Sequence, residues 1–479
     1  MEIPFVGGSY SGRSPTASPQ ECINLFFEPP AKGQIGSTGT LVSTPGSTVV
    51  ANCSTVGPVR GMICINDDFI YAVVGNKVYK YILPEWKEIF IGTLAAGGSG
   101  HVRMAASPIE VAIATSVGGA IITLATDTVQ EITDPDFDGV DAVAYLDGYF
   151  LWKVKDTGTT RGRFQWSNLF AGLIYLESDF ATTLGDADEL IDIVIERREV
   201  WLLSKKTLEI FYNSGDLDIP FQRFQGGITQ TGIIALHCAA RFDNSLMWVS
   251  SNSRGQAQVT RAGEGYQPSI VSTPEIAYRM SSKANPIPNF CYAYQSEGHE
   301  FFLINYSDEV LVYDALAQEW HVRAHNIDSV FPSRERYNCH VFDAKRNAHY
   351  LGDFENGSFY SLSTDEYTLD GEIVERVRVS PNASNEENRI RARSFQVDME
   401  EGTGSAGDTL TSAELSWSKD GGHTFSTPVF LSMGKVGKYL TRLIHRKLGH
   451  ARIWTFKLKI HSPRKIIIKG AFLKQYGEA

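Results

Sequence analysis

The stretch "RGMICINDDFIYAVVGNKVYKY", residues 60–81, contains a short apolar segment, a polar turn at Asn66-Asp67-Asp68 and then aromatic-rich segments. Short apolar or alternating runs broken by Gly, Asp and Asn are typical of β-strands joined by tight turns. Helical periodicity, with apolar residues at i, i+3, i+4 and i+7, is not sustained over any long part of the chain. The sequence is therefore predicted to be all-β.

The same order of segments recurs along the chain. Its copies are similar in the spacing of their strands and turns but not in sequence. Comparable stretches start about every forty to fifty residues, at His101, Val140, Ile191, His237, Asn289 and Tyr337. A four-stranded blade of a β-propeller has this length, although no WD or kelch signature is repeated here. We therefore predict a β-propeller-like repeat of six or seven blades over residues 57–369.

Residues 1–56 precede the repeats and are rich in Gly, Ser, Thr and Pro, with one apolar cluster at Ile23–Phe27. This composition is typical of an extended N-terminal arm that lies on another surface. We therefore expect that removing the arm leaves the propeller folded and weakens assembly.

Residues 370–479 follow the repeats and are predicted to form a C-terminal β domain that is similar to a β-sandwich. Its strands are expected at 390–399, 412–418, 453–461 and 466–473. Phe456, Leu458 and Ile460 alternate with polar residues, as a strand with one buried face requires.

Residues 418–425, "SKDGGHTF", match the Asp-box S-x-D-x-G-x-T-F/W, which is familiar from sialidases. The residues that fit the motif are Ser418, Asp420, Gly422, Thr424 and Phe425. Asp-Gly is a strong signal for a tight hairpin turn, and the Ser and Thr hydroxyls can bind nearby backbone groups. The box is therefore predicted to be a structural hairpin, which needs no neighbouring chemistry.

No catalytic constellation accompanies the box. A sialidase needs three arginines that clamp a carboxylate, a tyrosine nucleophile and acidic partners, and it usually carries several boxes. This chain has one box, outside the repeats, and it has no nucleophile elbow, HExxH or phosphate-binding glycine loop. We expect no catalytic residues and no cofactor. The alternative is an Asp-box β-propeller glycoside hydrolase or a carbohydrate-binding protein.

Two neighbouring pairs, His237-Cys238 and Cys339-His340, resemble metal ligands. Adjacent residues of a strand point to opposite faces, so neither pair can easily hold one ion. We therefore expect no metal site.

The charge of the chain is unevenly distributed. The net charge is −11, yet Lys435–Lys474 contains twelve Lys or Arg and no Asp or Glu, which leaves −23 for the remainder. An acidic body argues against general affinity for nucleic acid. No run of about eighteen apolar residues is present, so no membrane span is expected.

Both ends of the chain resemble a known family. At the N-terminus the matching motifs are Arg13-Ser14, Asn24-Leu25-Phe26-Phe27-Glu28, Leu41-Val42-Ser43-Thr44-Pro45-Gly46 and Val59-Arg60-Gly61. After the Asp-box they are Gly437-Lys438-Tyr439, Arg442, Leu448-Gly449-His450-Ala451-Arg452, Phe456, Ser462-Pro463 and Gly470. In order and spacing they are similar to the tail hub or nozzle proteins of short-tailed bacteriophages, also called packaged-DNA stabilisation proteins. In the middle of the chain, only the regular recurrence of predicted β-strands and turns agrees with this family.

The resemblance implies a structural virion protein rather than an enzyme. Such proteins form a homo-oligomer, expected to be a hexamer, below the portal and its adaptor ring (the head–tail connector). They prolong the channel, retain packaged DNA until DNA ejection, and support a tail needle, tailspikes or fibres. DNA passes through without sequence-specific binding. The implied location is the virion tail, assembled in the host cell cytoplasm.

The motifs also suggest residues that contact partners. The candidates for an assembly interface are Arg13, Asn24, Phe26, Glu28, Arg442 and Arg452. The basic segment Lys435–Lys474 is predicted to dock on an acidic neighbour; a strand pair with solvated lysines and a contact with DNA are the alternatives. The Asp-box hairpin is expected to fix an edge at an assembly surface.

Overall fold

The computed structural model describes residues 1–30, 39–95, 100–183, 188–216, 218–251, 257–327, 333–386, 388–400, 412–433 and 442–475. Lys435 and Gly437-Lys438-Tyr439, which the sequence singles out, lie outside the described residues. The described part of the chain is nearly all β, as predicted. Its helical elements are one α-helix, α1 (Pro274–Ser281), and a short 3-10 turn (Glu264–Tyr266).

Six strands come from the N-terminal segment: β1 (Glu2–Ile3), β2 (Tyr10–Ser11), β3 (Pro19–Ile23), β4 (Leu25–Glu28), β5 (Thr40–Ser43) and β6 (Gly46–Asn52). Four antiparallel blades follow, each of four strands in chain order. Blade 1 contains β7 (Val59–Ile65), β8 (Phe69–Val74), β9 (Lys77–Ile82) and β10 (Lys87–Thr93). Blade 2 contains β11 (Arg103–Ala106), β12 (Glu110–Thr115), β13 (Gly118–Thr123) and β14 (Thr128–Glu131).

Blade 3 contains β15 (Gly139–Leu146), β16 (Tyr149–Val154), β17 (Arg163–Trp166) and β18 (Phe180–Thr182). Blade 4 contains β19 (Leu190–Glu196), β20 (Glu199–Ser204), β21 (Leu208–Asn213) and β22 (Phe221–Thr229). Blade 5 contains β23 (Gly232–Ile233), β24 (Ala239–Phe242), β25 (Ser245–Ser251), β26 (Gln258–Ala262) and β27 (Pro268–Ile270).

Blade 6 contains β28 (Phe290–Ser296), β29 (His299–Asn305), β30 (Val310–Asp314) and β31 (Glu319–Arg323). Blade 7 contains β32 (Tyr337–Asp343), β33 (Ala348–Asp353) and β34 (Ser358–Ser363), and the short strands β35 (Thr368–Leu369) and β36 (Glu372–Ile373) follow it. The inner strands contact one another in the cycle β7, β11, β15, β19, β24, β28, β32 and back to β7. The described residues therefore form a closed propeller, and seven blades fall within the predicted range.

Tight turns account for the regular blade hairpins. Several hairpin turns have residues with positive φ at their centres, including the predicted turn at Asn66 (48°) and Asp67 (57°) and the turn at Asp147 (49°) and Gly148 (97°). Short hairpin turns need this conformation because it matches the twist of the flanking strands, and Asn, Asp and Gly adopt it most readily. The turn residues thus set the strand pairing locally.

The last blade takes its outer strand from the N-terminal segment. β6 pairs antiparallel with β34, with Asn52 opposite Ser358 and Gly46 opposite Ser363. This arrangement closes the ring because the first and last parts of the propeller sequence share one sheet. A closed ring also leaves fewer exposed sheet edges.

The C-terminal domain is a two-sheet sandwich, as predicted. Its strands are β37 (Glu375–Val379), β38 (Ala383–Ser384), β39 (Ile390–Met399), β40 (Ser412–Ser418), β41 (Val429–Ser432), β42 (Leu443–Ala451), β43 (Ile453–His461) and β44 (Ile467–Gln475). One sheet has the order β4-β5-β44-β39-β42, with β1 on β44; the other contains β37-β43-β40-β41. Phe395 and Phe456 stack between the sheets with ring centres 3.8 Å apart.

The second sandwich sheet is continuous with blade 6 through β3. Ile23 lies opposite Val322 of β31 on one side and Val377 of β37 on the other. Phe5, Leu25 and other apolar residues of the N-terminal segment are buried in the sandwich core. The strands of residues 1–56 therefore lie on surfaces of their own chain, joining propeller to sandwich. The domain boundaries at 56 and 369 stay predictions.

Candidate functional site

The Asp-box forms a loop that is closed by its own side chains. The carboxylate of Asp420 accepts the backbone N–H groups of His423 and Thr424, each at 3.0 Å, and the Thr424 hydroxyl at 2.5 Å. Ser418 Oγ donates to the same carboxylate at 2.5 Å and accepts the Gly422 N–H at 2.8 Å. Hydrogen bonds from the Ser418 and Thr424 hydroxyls hold the pKa of Asp420 well below its usual range. These polar groups are therefore used within the hairpin.

The box packs against the N-terminal segment of the same chain. Thr16 Oγ1 lies 3.0 Å from His423 Nε2. A Cβ at Gly421 would come within 3.1 Å of Thr16, so the two backbones approach closely here. Phe425 is 37% exposed, and Lys457 Nζ lies 5.8 Å from the centre of its ring. The hairpin thus anchors the loop between β2 and β3, and its role at an assembly surface stays a prediction.

Asn24, one of the interface candidates, is 1% exposed. Its side-chain amide donates to the carbonyls of Ala324 and Glu375, both at 2.7 Å, and its Oδ1 accepts the Ala324 N–H at 3.0 Å. Its backbone adopts φ 56°, which Asn tolerates better than most residues. Asn24 therefore ties blade 6 to the first strand of the sandwich, and we propose an intramolecular role for it.

Phe26 and Glu28 lie on β4 beside His299 of blade 6. The Phe26 ring is buried, 5.0 Å from the imidazole and 5.4 Å from the Phe301 ring. His299 contacts Asp314 through Nδ1 at 2.6 Å and Glu28 through Nε2 at 3.0 Å. Burial alone would lower the pKa of His299, but the two carboxylates more than offset this and raise it. These candidates too stabilise the join between propeller and sandwich.

The remaining interface candidates, Arg13, Arg442 and Arg452, are exposed. The Arg13 guanidinium lies 5.4 Å from the ring centre of Tyr278 in α1. Arg442 directly precedes β42 and Arg452 directly follows it, so the structure places them at opposite ends of a nine-residue strand. They are available to partners, but they do not form one cluster.

The structure divides the basic segment into buried and exposed parts. Lys459 is buried and pairs with Glu375 at 3.0 Å. In contrast, Arg446 of β42 and Lys474 of β44 are exposed and both lie opposite Ser394 of β39, on the outer side of the first sandwich sheet. We call the exposed Lys and Arg residues of these three strands the basic face: Arg391, Arg393, Arg446, Lys447, Lys469 and Lys474. Asp398 is an exposed carboxylate on the same strand as the first two.

Two buried arginines that the sequence did not identify fasten the chain ends together. Arg378, 1% exposed, donates to the backbone carbonyls of Phe5 at 2.6 Å, Gly8 at 2.8 Å and Glu21 at 3.2 Å. Burial lowers its pKa. In "ERVRV", residues 375–379, the arginines alternate with valines and look like the solvent face of a strand. A local pattern could not reveal that the N-terminal segment covers that face.

Arg376 binds the other side of the junction in the same way. It donates to the carbonyls of Ser462 at 2.7 Å, Tyr367 at 2.9 Å and Val374 at 3.1 Å. Burial lowers its pKa to about 10. Each arginine therefore satisfies several backbone acceptors where strands from distant parts of the chain meet.

The propeller surrounds a central cavity of about 600 Å³, and an active site or ligand site would be expected in such a cavity. Among the described residues that line it there is no Asp or Glu. Within the described ranges, no group of three or more His, Cys, Asp or Glu is arranged to hold a metal ion. None of the helices in the described part of the chain is long and apolar enough to cross a membrane.

Comparison with known proteins agrees with this architecture. The model of the bacteriophage P22 Gp10 β-propeller matches residues 1–367, and that of the Gp10 β-sandwich matches residues 375–475. The chain belongs to the bacteriophage P22 Gp10 family. The resemblance to the tail nozzle, or packaged-DNA stabilisation, family is thereby confirmed, as is the fold of a β-propeller followed by a β-sandwich. As a Gp10 family member, the protein is a structural component of a phage tail and of the virion.

Outside the Gp10 family, the likenesses are distant. No curated protein matches the sequence. The extracellular domain of BT4673 from B. thetaiotaomicron is 10% identical, with a TM-score of 0.43. That match covers 86% of this chain, which spans only 56% of that domain. BamB from Moraxella catarrhalis is 10% identical, with a TM-score of 0.42, over 71% of this chain and 94% of BamB. These likenesses carry no argument about function.

Proposed function

We propose that this protein is the tail nozzle, or tail hub, of a short-tailed phage. In this role six copies form a ring below the portal and its adaptor ring and extend their channel. The ring retains packaged DNA until ejection and supports a tail needle, tailspikes or fibres. Membership of the Gp10 family supports this role. The family match itself shows a structural protein of the phage tail, and the proposed role is more specific than that.

The basic face is the observation that best supports the proposal of a ring. It presents cations on the outside of the sandwich, whereas the chain as a whole has a net charge of −11. Unlike surfaces on one subunit favour head-to-tail contacts, which close into a ring when the rotation between copies allows it. The basic face therefore docks on an acidic neighbour, which is either the next copy or the adaptor.

An acidic protein also suits a DNA channel. Excess negative charge repels phosphate groups, so DNA slides past the wall without a sequence-specific grip. All six cysteines are free thiols, which fits assembly in the reducing cytoplasm of the host.

The enzymatic alternative rests on the Asp-box alone. Glycoside hydrolysis uses two carboxylates that flank the scissile bond, and the described lining of the central cavity contains none. We therefore propose a non-enzymatic protein. Incubation with sialosides and with bacterial surface polysaccharide is expected to give no turnover. Turnover that disappears when one carboxylate is replaced would contradict this proposal.

The mass and the symmetry of the assembly with portal and adaptor test the proposed ring. Purified protein is mixed with portal and adaptor, and its stoichiometry is measured by native mass and by averaged electron micrographs. The expected result is a six-fold ring on the adaptor. A protein that stays monomeric with its connector, or that joins it with another symmetry, would contradict the proposal.

A further inference from the structure

One end of the central cavity carries an unusual concentration of cationic and imidazole groups. Arg60 lies at the start of β7, His101 and Arg103 at the start of β11, and His237 just before β24. These residues come from blades 1, 2 and 5 and line the same cavity. The opposite end, where the inner strands finish, holds Arg241, whose charge is met by Glu196 at 3.4 Å.

Arg60 is buried, and none of the carboxylates in the described ranges pairs with it. It is 4% exposed, and its Nε and Nη1 donate to the carbonyls of Gly100 at 2.6 Å and Gly75 at 3.0 Å. Its Nη2 is buried and has no hydrogen-bond partner among the described residues. Burial of a charged donor is costly unless an acceptor meets it. The Nη2 group of Arg60 therefore needs an acceptor that the described part of the chain does not supply.

Two more ring or guanidinium nitrogens in this cluster have no hydrogen-bond partner within the part of the chain that the structure describes. Arg103 pairs through Nη2 with the fully buried Asp192 at 2.6 Å, and its Nε is buried without a partner. His237 donates its backbone N–H to the same carboxylate at 3.2 Å, while its ring Nε2 is buried and unpartnered. Its backbone has φ 61°, a conformation that favours glycine. The chain thus holds an imidazole here against a local backbone preference.

The local charge is positive. The guanidiniums of Arg60, Arg103 and Arg334 act on His101, and Asp192 is the carboxylate paired within the cluster. Burial first, and then these three arginines, lower the pKa of His101 to about 4. Its ring lies 5.4 Å from that of His237, so two neutral imidazoles sit side by side among the cations. Asp192 pairs with Arg103 and Asp353 acts on Arg334, so Arg60 is the arginine of these three for which the described residues show no carboxylate partner.

We propose that this end of the propeller cavity binds a phosphate-class oxyanion, held by Arg60, Arg103 and His237. Three donors from three blades, Arg60 Nη2, Arg103 Nε and the Nε2–H tautomer of His237, suit an acceptor with several oxygens, as phosphate has, better than the two oxygens of a carboxylate. Phe290 and Tyr292 stack beside the cluster with ring centres 5.5 Å apart, which provides an apolar wall for an organic group on the phosphate. The site is independent of the nozzle role, which requires no small ligand.

Binding is measured by calorimetry on the full-length protein at constant ionic strength, with inorganic phosphate, sulfate, a nucleoside monophosphate and chloride as titrants. Phosphate is expected to bind with one site per chain and to raise the unfolding temperature, whereas chloride does neither. Tighter binding of the monophosphate would assign the aromatic wall to its organic part. Equal binding would assign inorganic phosphate as the ligand. An absence of saturable phosphate binding would overturn the proposal.

Single substitutions test whether phosphate binds at these residues. Arg60→Gln is expected to weaken phosphate binding about tenfold, since a charge-assisted contact is lost. Because Arg60 also holds two carbonyls, His237→Ala is the second variant. No described residue bonds to the Nε2 of His237, and loss of this ring is expected to weaken binding several-fold. Arg241→Gln, in the same cavity wall, is the matched control and should bind normally. Unchanged binding in both Arg60→Gln and His237→Ala would show an adventitious ion only and overturn the site.

Discussion

Arg446 and Lys474 lie opposite the same residue, Ser394, on the two sides of β39. Their strands are separated by two inter-strand spacings, so the two backbones are about 10 Å apart. Like charges on one sheet face repel each other, and an acidic partner between them relieves that repulsion. The basic face is therefore better suited to a charged interface than to solvent alone.

Reversing these two charges should weaken assembly. The double variant Arg446→Glu/Lys474→Glu is expected to lose at least about tenfold in its association with an acidic neighbour, because attraction becomes repulsion. Sedimentation at low and high salt measures the effect, and the wild-type association should weaken as salt screens the charges. Lys345→Glu, on an exposed propeller loop, is the control. Association that tolerates the double variant would remove the basic face from the interface.

Loss of Arg378 should destabilise the whole molecule. Arg378→Met keeps much of the side-chain volume but leaves the carbonyls of Phe5, Gly8 and Glu21 without this donor. We expect the free energy of unfolding in denaturant to fall by about 3 kcal/mol. Arg13→Met, which removes an exposed guanidinium resting on Tyr278, should cost less than about 1 kcal/mol. Equal costs would show that Arg378 does not fasten the N-terminal segment.

Stability should fall through His299 as the pH rises above the ordinary pKa of histidine. Its pKa is raised in the folded protein, so protonation favours folding. This contribution is fully present below the ordinary pKa of histidine and is lost as pH rises through the raised folded value. Glu28→Gln removes one carboxylate that raises the folded pKa, so the loss should be smaller and should be complete at a lower pH.

Unfolding temperatures of wild type and Glu28→Gln between about pH 5 and pH 9 measure this dependence. The expected cost of Glu28→Gln at low pH is about 1 kcal/mol or less, because the Glu28 side chain is 46% exposed. Glu372→Gln, which breaks an exposed contact with His325, is the control. Parallel pH profiles for wild type and Glu28→Gln would contradict the role assigned to His299.

Local sequence patterns predicted much of the fold. The strands expected at 390–399, 412–418 and 453–461 coincide with β39, β40 and β43, because each alternates clearly and ends at turn residues. β42 was not predicted, since the Arg446, Lys447 and Gly449 of this edge strand interrupt its alternation. The blades were predicted from their period and turns.

Long-range pairing could not be predicted from such patterns. Ile23 pairs with Val322 and Val377, residues about three hundred positions away, and no local signal specifies those partners. For the same reason, the sequence did not show that the interface candidates Asn24 and Phe26 are buried within the chain; their contact with a partner stays a prediction. The charge of the basic segment was evident in the sequence, but which of its residues are exposed depends on the sheet register.

This pairing reverses the expectation for the N-terminal segment. Deletion of residues 1–56 removes the outer strand of blade 7 and several residues of the sandwich core, so we now expect an insoluble or unfolded chain. Solubility and circular dichroism measure the outcome. Residues 1–56 supplied as a separate chain by co-expression should restore folding. A deleted protein that is soluble and folded without this addition would show that β6 and β3 are dispensable.

Nuclease-protected DNA in particles assembled without this protein tests most directly whether it retains the packaged genome. Particles are sampled during packaging and again after purification, and the DNA per particle is quantified. We expect normal packaging followed by loss of DNA, and retention when purified protein is added before release. Particles that lack the protein and still keep their DNA would contradict the proposed nozzle function.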